Sequence, residues 1–161
     1  MSISPAQCRA ARGLLNLSRS EVAETAHITG ETIGRFERDE GEPSYNNLRA
    51  IRTVLEAAGI VFIPANGGGP GVRLRARRNG DDQREFSISP DLCRAARNLL
   101  GFSQFDLAEA AGVGRSTVAD FERGAHMPTA ENLLAIRIAL ESAGVAFIDS
   151  NGDGPGVRLR K

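Results

Sequence analysis

Arginine supplies all the positive charge of this chain except Lys161. Its planar guanidinium can hold a phosphate, or the O6/N7 edge of guanine, with two hydrogen bonds, and it serves equally well in internal ion pairs. Residues for covalent or metal chemistry are scarce. Cys8 and Cys93 sit at equivalent places in two similar segments, on the apolar side of a helical pattern where cysteine behaves as a small hydrophobe. A disulfide between them would have to join two separate cores. His27 and His126 are not equivalents and have no ligand-like spacing to either cysteine, so no metal or other cofactor is expected. No Ser/His/Asp set and no carboxylate pair recurs in both segments, and the chain is not expected to be an enzyme. The glycine-rich stretch Asn66–Gly71 lacks the Gly-Lys-Ser/Thr ending and the following helix of a phosphate loop. It reads as a hairpin turn.

The elements that must position these residues are written twice. Ile3 to Arg75 realigns without a gap onto Ile88 to Arg160, at a fixed offset of 85 residues (Ile3 onto Ile88), with about half the positions identical. Repetition at this period means two copies of one small domain. The expected boundaries are 1–75 for the first copy, 76–87 for a polar linker without periodicity, and 88–161 for the second. Extended, such a linker reaches roughly 40 Å.

Each copy reads as four to five short helices followed by a β-hairpin, a mainly α fold. Ser4-Pro5 places a cap residue before a proline at the first helical position. The helix runs to about Leu15, with Cys8, Ala11, Leu14 and Leu15 on one face. Ser18 then opens SRSEVAETA, with Glu21 three residues on as a capping box; the counterpart is SQFDLAEAA from Ser103. Tight turns at His27-Ile28-Thr29 and Gly112-Val113-Gly114 lead into third helices with Ile33 and Phe36, or Val118 and Phe121, turned inward. The fourth helices are expected to bury Leu48, Ile51, Leu55 and Ala58, or Leu133, Ile136, Leu140 and Ala143. Gly59 and Gly144 follow as terminating glycines. The runs Ile60–Ile63 and Val145–Ile148, each followed by a glycine-rich turn and Val-Arg-Leu-Arg, read as hairpins. A lone hairpin is marginally stable, so each is expected to pair with another, within the chain or between two chains.

Two short helices joined by a tight turn inside a compact helical domain form a helix-turn-helix. The second copy carries the pattern most plainly, from Arg97-Asn98-Leu99-Leu100-Gly101-Phe102-Ser103-Gln104 through Leu107-Ala108 and Ala111-Gly112-Val113 to Phe121-Glu122-Arg123-Gly124. It resembles the phage-repressor type of helix-turn-helix domain, the XRE/Cro family, over about 60 residues of each repeat. The resemblance implies that the polar residue opening the second helix, Gln104 or Arg19, contacts DNA backbone or a base edge. It implies that Arg115, Ser116 and Thr117, and in the first copy Gly30, Glu31 and Thr32, meet bases, with Asp120 and Arg35 one turn on. It also implies internal pairs of Arg12 with Glu37 and of Arg97 with Glu122.

Chemistry separates the copies. Arg115 suits guanine, and Ser116 or Thr117 can reach base edges or phosphate. Glu31 and Asp120 suit cytosine N4 but are repelled by phosphate. The acidic loop Asp39-Glu40-Gly41-Glu42 also lies where phosphate would approach the first copy. The second copy is therefore expected to be the better DNA reader.

These readings favour a bacterial or phage-type transcriptional regulator, a fused pseudo-dimer reading two unlike half-sites of double-stranded DNA about one turn apart. The alternative is an adaptor or anti-activator that binds protein, motivated by a formal charge of zero, the acidic loop and Glu31. A mixed form would hold RNA polymerase or a second regulator with one copy. No apolar run approaches the roughly 20 residues of a membrane span, and the N-terminus lacks a signal-peptide pattern. A cytoplasmic, nucleoid-associated protein is expected.

Overall fold

The computed structural model describes residues 2–76, 88–150 and 153–161. The first repeat folds as α1 (Pro5–Leu15), α2 (Arg19–Ala26), α3 (Gly30–Glu37), α4 (Tyr45–Ala57), β1 (Ile60–Ile63) and β2 (Gly71–Leu74). The second repeats the order as α5 (Pro90–Leu100), α6 (Gln104–Ala111), α7 (Arg115–Glu122), α8 (Ala130–Ser142), β3 (Val145–Ile148) and β4 (Gly156–Leu159). The mainly α reading with a hairpin after each repeat holds, with four helices per copy among the described residues. Nearly all of the expected linker, and Asn151-Gly152 of the second hairpin turn, lie outside the described residues.

Helix starts follow the cap chemistry. Ser18 and Ser103 each accept from the backbone N–H three residues on, and Glu21 and Asp106 accept in return from the cap N–H. The reciprocal bonds satisfy two donors that the first turn leaves open. Both carboxyls are held below their usual pKa by the bonds from Ser18 and Ser103. Ser4 forms the same box with Gln7, whose side chain also donates to the carbonyls of Ile63 (2.9 Å) and Gly71 (3.0 Å). Gln7 thus ties the start of α1 to the hairpin. Its counterpart is Leu92.

Ala58 and Ala143 correct one expectation: both are exposed. They are the C-cap residues of α4 and α8, where the chain has already begun to turn away from the buried stripe. Gly59 and Gly144 follow with φ of 106° and 112°, the left-handed region that glycine enters without a Cβ penalty.

α1 packs against α5, and the two hairpins share one antiparallel sheet in the order β1-β2-β4-β3. Across the central pair Val72 faces Val157, Gly71 faces Arg158 and Arg73 faces Gly156. Gly71 and Gly156 are repeat equivalents, as are Arg73 and Arg158. The register is therefore that of a two-fold axis passing between the valines. The strands lie so close that a Cβ on Gly71 or Gly156 would collide with the carbonyl of Val157 or Val72. The glycine-rich segments thus serve the junction between hairpins as well as the turns. Buried residues of both repeats, from Cys8, Ala10 and Leu14 to Cys93, Ala95 and Leu99, form one continuous apolar cluster.

Candidate nucleic-acid interface

The turn between α2 and α3 needs one left-handed residue. His27 provides it at φ 55°, and Gly112 does so in the second repeat at φ 66°. The N–H of Ile28 or Val113 then bonds back to the carbonyl of Ala23 or Ala108 (both 3.0 Å). Thr29 caps α3 through the N–H of Thr32, and the two threonine hydroxyls lie 2.8 Å apart. Gly114 offers α7 no side-chain cap. Ile33 and Phe36, or Val118 and Phe121, anchor the inner face of each third helix in the core.

On the outer face the repeats differ. Arg115 and Ser116 are exposed at the start of α7, with Thr117 and Asp120 half-buried beside them. Among the described residues Arg115 makes no side-chain hydrogen bond or ion pair, whereas Asp120 is paired with Arg123. On α3, Glu31 and Arg35 are exposed, and Gly30 and Thr32 are half-buried. Arg38 lies over Gly34 and joins Glu31 (3.1 Å) to Glu40 (2.8 Å). Its hydrogen bond holds the Glu40 carboxyl below the usual range. Arg35 donates to the carbonyl of Glu40, at 3.4 Å.

Beneath each third helix lies a buried carboxylate. Glu37 is 2% exposed and accepts Arg12 at both oxygens (2.7 and 2.8 Å) and Arg19 at one (2.7 Å). Burial pushes its pKa up, but the bonds and charges of Arg12, then Arg19, outweigh this and leave it below the usual glutamate range. Glu122 accepts Arg97 (2.7 and 3.0 Å) and the neutral amide of Gln104 (3.0 Å). The residues opening α2 and α6 therefore have inward partners of their own. Arg12 and Arg97 also donate to the carbonyls of Leu17 and Phe102 (2.9 and 2.8 Å), which fixes the chain between the first and second helices. Burial, then the nearby Glu37 or Glu122, pushes the Cys8 and Cys93 thiols upward, so both remain protonated.

Arg9 and Arg94 escaped the sequence reading. Arg9 donates to the carbonyl of Glu37 at the end of its own third helix, and through Nε to Asn98 of the other repeat (3.0 Å). Arg94 mirrors it, donating to Glu122 and to Gly13 (3.0 Å). Each arginine thus links a third helix to the opposite first helix. Their recurrence at one position of both copies was the available signal; that position gave no hint of a contact between repeats.

A family model described as helix-turn-helix, of the XRE type, matches the chain twice, at residues 9–57 and 94–142, together more than half its length. The chain belongs to that family, as a tandem duplication, and the family is one of DNA-binding transcription regulators. The comparison with curated proteins returned no match. Among the described residues no helix is long and apolar enough to cross a membrane, and no group of three or more His, Cys, Asp or Glu is arranged to hold a metal ion.

Proposed function

We propose that the protein is a sequence-specific transcriptional regulator acting as a covalent pseudo-dimer on an operator of two unlike half-sites, read through the major groove. The observation that carries this reading is the two-fold-like junction inside one chain: α1 on α5, β2 on β4, and Arg9 and Arg94 each reaching the opposite repeat. Single-domain helix-turn-helix proteins obtain such a junction by dimerising and bind half-sites related by the same symmetry. In a fused chain the junction does not depend on concentration, and the two reading faces are free to differ.

The second repeat is the stronger reader. Arg115, exposed and unpaired among the described residues, takes guanine; Ser116 and Thr117 take base edges or phosphate; Gln104 offers its remaining amide groups to the backbone. Asp120, paired with Arg123, carries less repulsion toward phosphate than a bare carboxylate. In the first repeat Gly30 allows close approach, and Thr32 and Arg35 are the contacting groups. Arg38 offsets the charge of Glu31. Glu31 and the acidic loop that follows α3, with Asp39, Glu40 and Glu42 all exposed, favour the narrower alternative in which the first repeat does not read DNA and holds a protein partner such as polymerase or a second regulator.

Selection of genomic fragments by the purified protein at low salt, then a salt titration of the winners, tests the reading. One recurrent two-part site with a steep salt slope is expected. Arg115→Ala should cost about 1–3 kcal/mol on that site and relax one base position, and Glu31→Ala should cost little. Failure of the folded protein to enrich any sequence would transfer the reading to the protein-binding adaptor.

A further inference from the structure

A cavity of about 680 Å³ opens in the first repeat behind α3, between the chain start, the α3–α4 loop, α4 and β1. That volume is in the range of small-molecule sites, which are mostly apolar with a few polar groups. Ile3, Phe36, Leu48 and Phe62 supply apolar wall, and Asp39 and Glu42 stand among the lining residues, Asp39 also bordering a second pocket with Arg9, Arg19 and Arg38. Both acids are exposed and make no ion pair among the described residues. Arg52 is the basic residue of the lining. It is bound to Glu56 (2.7 Å) and lies over the Phe62 ring (5.9 Å to its centre).

The second repeat supplies an internal control. Ile88, Phe121, Leu133 and Phe147 repeat the apolar wall, but the two acids are replaced by Gly124 and Met127. The fold does not require these carboxylates. Asp39 even holds a left-handed backbone, φ 57°, where Gly124 does so without a Cβ. Apolar walls beside two carboxylates that have no ion pair among the described residues favour a ligand that is apolar in body and positive at one end. An anion of the same shape would meet both carboxylates as like charges.

We propose that this cavity is a binding site for a small organic cation, an amine with an apolar body. The site goes beyond the DNA-binding reading and does not depend on it. Phe36 belongs to α3 and Asp39 follows it closely, so an occupant would sit directly behind the third helix of the first repeat.

The test is direct titration of the full chain, without DNA, using 2-phenylethylamine, with phenylacetate as the anionic partner of similar shape. Calorimetry and amide NMR shifts would be read together. The amine should bind saturably, with shifts centred on Phe36, Asp39, Glu42 and Leu48, and phenylacetate at least about tenfold more weakly. Asp39→Gly with Glu42→Met installs the second repeat's own residues, so the melting temperature should hold while amine affinity falls about tenfold or more. Absence of saturable binding, equal binding of phenylacetate, unchanged affinity in the double variant, or shifts centred elsewhere would each overturn the assignment. Since no arm involves DNA, these outcomes are separate from failure to find an operator.

Discussion

Gly13 and Asn98 hold equivalent positions in the two repeats and face each other where α1 meets α5: a Cβ on Gly13 would lie 2.5 Å from the Asn98 side-chain nitrogen. That nitrogen donates to the carbonyl of Arg9 (3.2 Å), so the asparagine occupies room that the glycine vacates. Pairing like repeats between chains would set Asn against Asn or Gly against Gly. Gly13→Asn should therefore destabilise the protein by about 1–3 kcal/mol through overpacking, read by urea denaturation. Adding Asn98→Gly exchanges the two residues and should recover most of the loss. A neutral Gly13→Asn would show that this contact does not discriminate between pairings.

The sheet makes a second, independent junction. A Cβ at Gly71 would strike the Val157 carbonyl in the strand across the pseudo-two-fold, and backbone cannot move aside as a flexible side chain can. Gly71→Ala should cost more than Gly67→Ala in thermal melts, although Gly67 has the positive φ of 75°, because among the described residues, its chain neighbours aside, no atom lies within 4 Å of a Cβ placed at Gly67. Strain at a left-handed alanine is about 1–2 kcal/mol. The reverse ranking would mean that β2 and β4 are less closely joined than described.

These junction residues mark where the sequence stopped being legible. The helices, their caps at Ser4, Ser18 and Ser103, the turns at His27 and Gly112 and the hairpins all follow from local patterns, and local patterns are printed in one stretch of chain. Nothing local states that Gly13 will meet Asn98, or that Gln7 will reach the carbonyls of Ile63 and Gly71. Ala58 and Ala143 fit the helical period yet lie exposed, because periodicity does not say where the packing partner ends. At the candidate site the outward positions could be named from the motif. The clamp of Arg38 on Glu31 and Glu40 could not, since it depends on side-chain reach across a helix and the loop that follows it.

The buried carboxylates predict an inequality between the repeats. Arg12→Ala leaves Glu37 with the Arg19 cation, while Arg97→Ala leaves Glu122, among the described residues, with two neutral donors, the Gln104 amide and the Cys93 thiol. An unpaired buried charge costs about 3–5 kcal/mol. Arg97→Ala should approach that figure and Arg12→Ala should fall below it. Arg19→Gln, which gives the first repeat the second repeat's residue, should raise the cost of Arg12→Ala. Equal losses in all backgrounds would show that Arg19 gives Glu37 no support.

Acid should weaken the fold through the same group. The Glu37 pKa is lowered in the folded state, so its contribution is present above the unfolded glutamate value of about 4.3. It is lost as pH falls below that value and through the lower folded pKa. Glu21 and Asp106 are shifted in the same direction, which makes a comparison of variants necessary. Glu37→Gln should be less stable than the parent at neutral pH and lose less on acidification below about pH 4.3. Parallel stability curves for the two proteins would remove Glu37 from the acid response.

Arg38 offers a way to learn how the first repeat meets DNA. Its guanidinium lies on the exposed side of α3 between Glu31 and Glu40, so removing it uncovers two negative charges near the expected phosphate path. Arg38→Ala should therefore weaken operator binding, most at low salt where charge repulsion is least screened. If Arg38 acts mainly by neutralising Glu31, then adding Glu31→Ala should recover most of the lost affinity. A direct phosphate contact behaves differently: its loss lowers the salt slope by about one and persists whatever stands at position 31. Recovery in the double variant, measured across a salt titration, is the expected result. An undiminished loss would make Arg38 itself a DNA ligand, and no effect of either variant would leave operator reading to the second repeat alone.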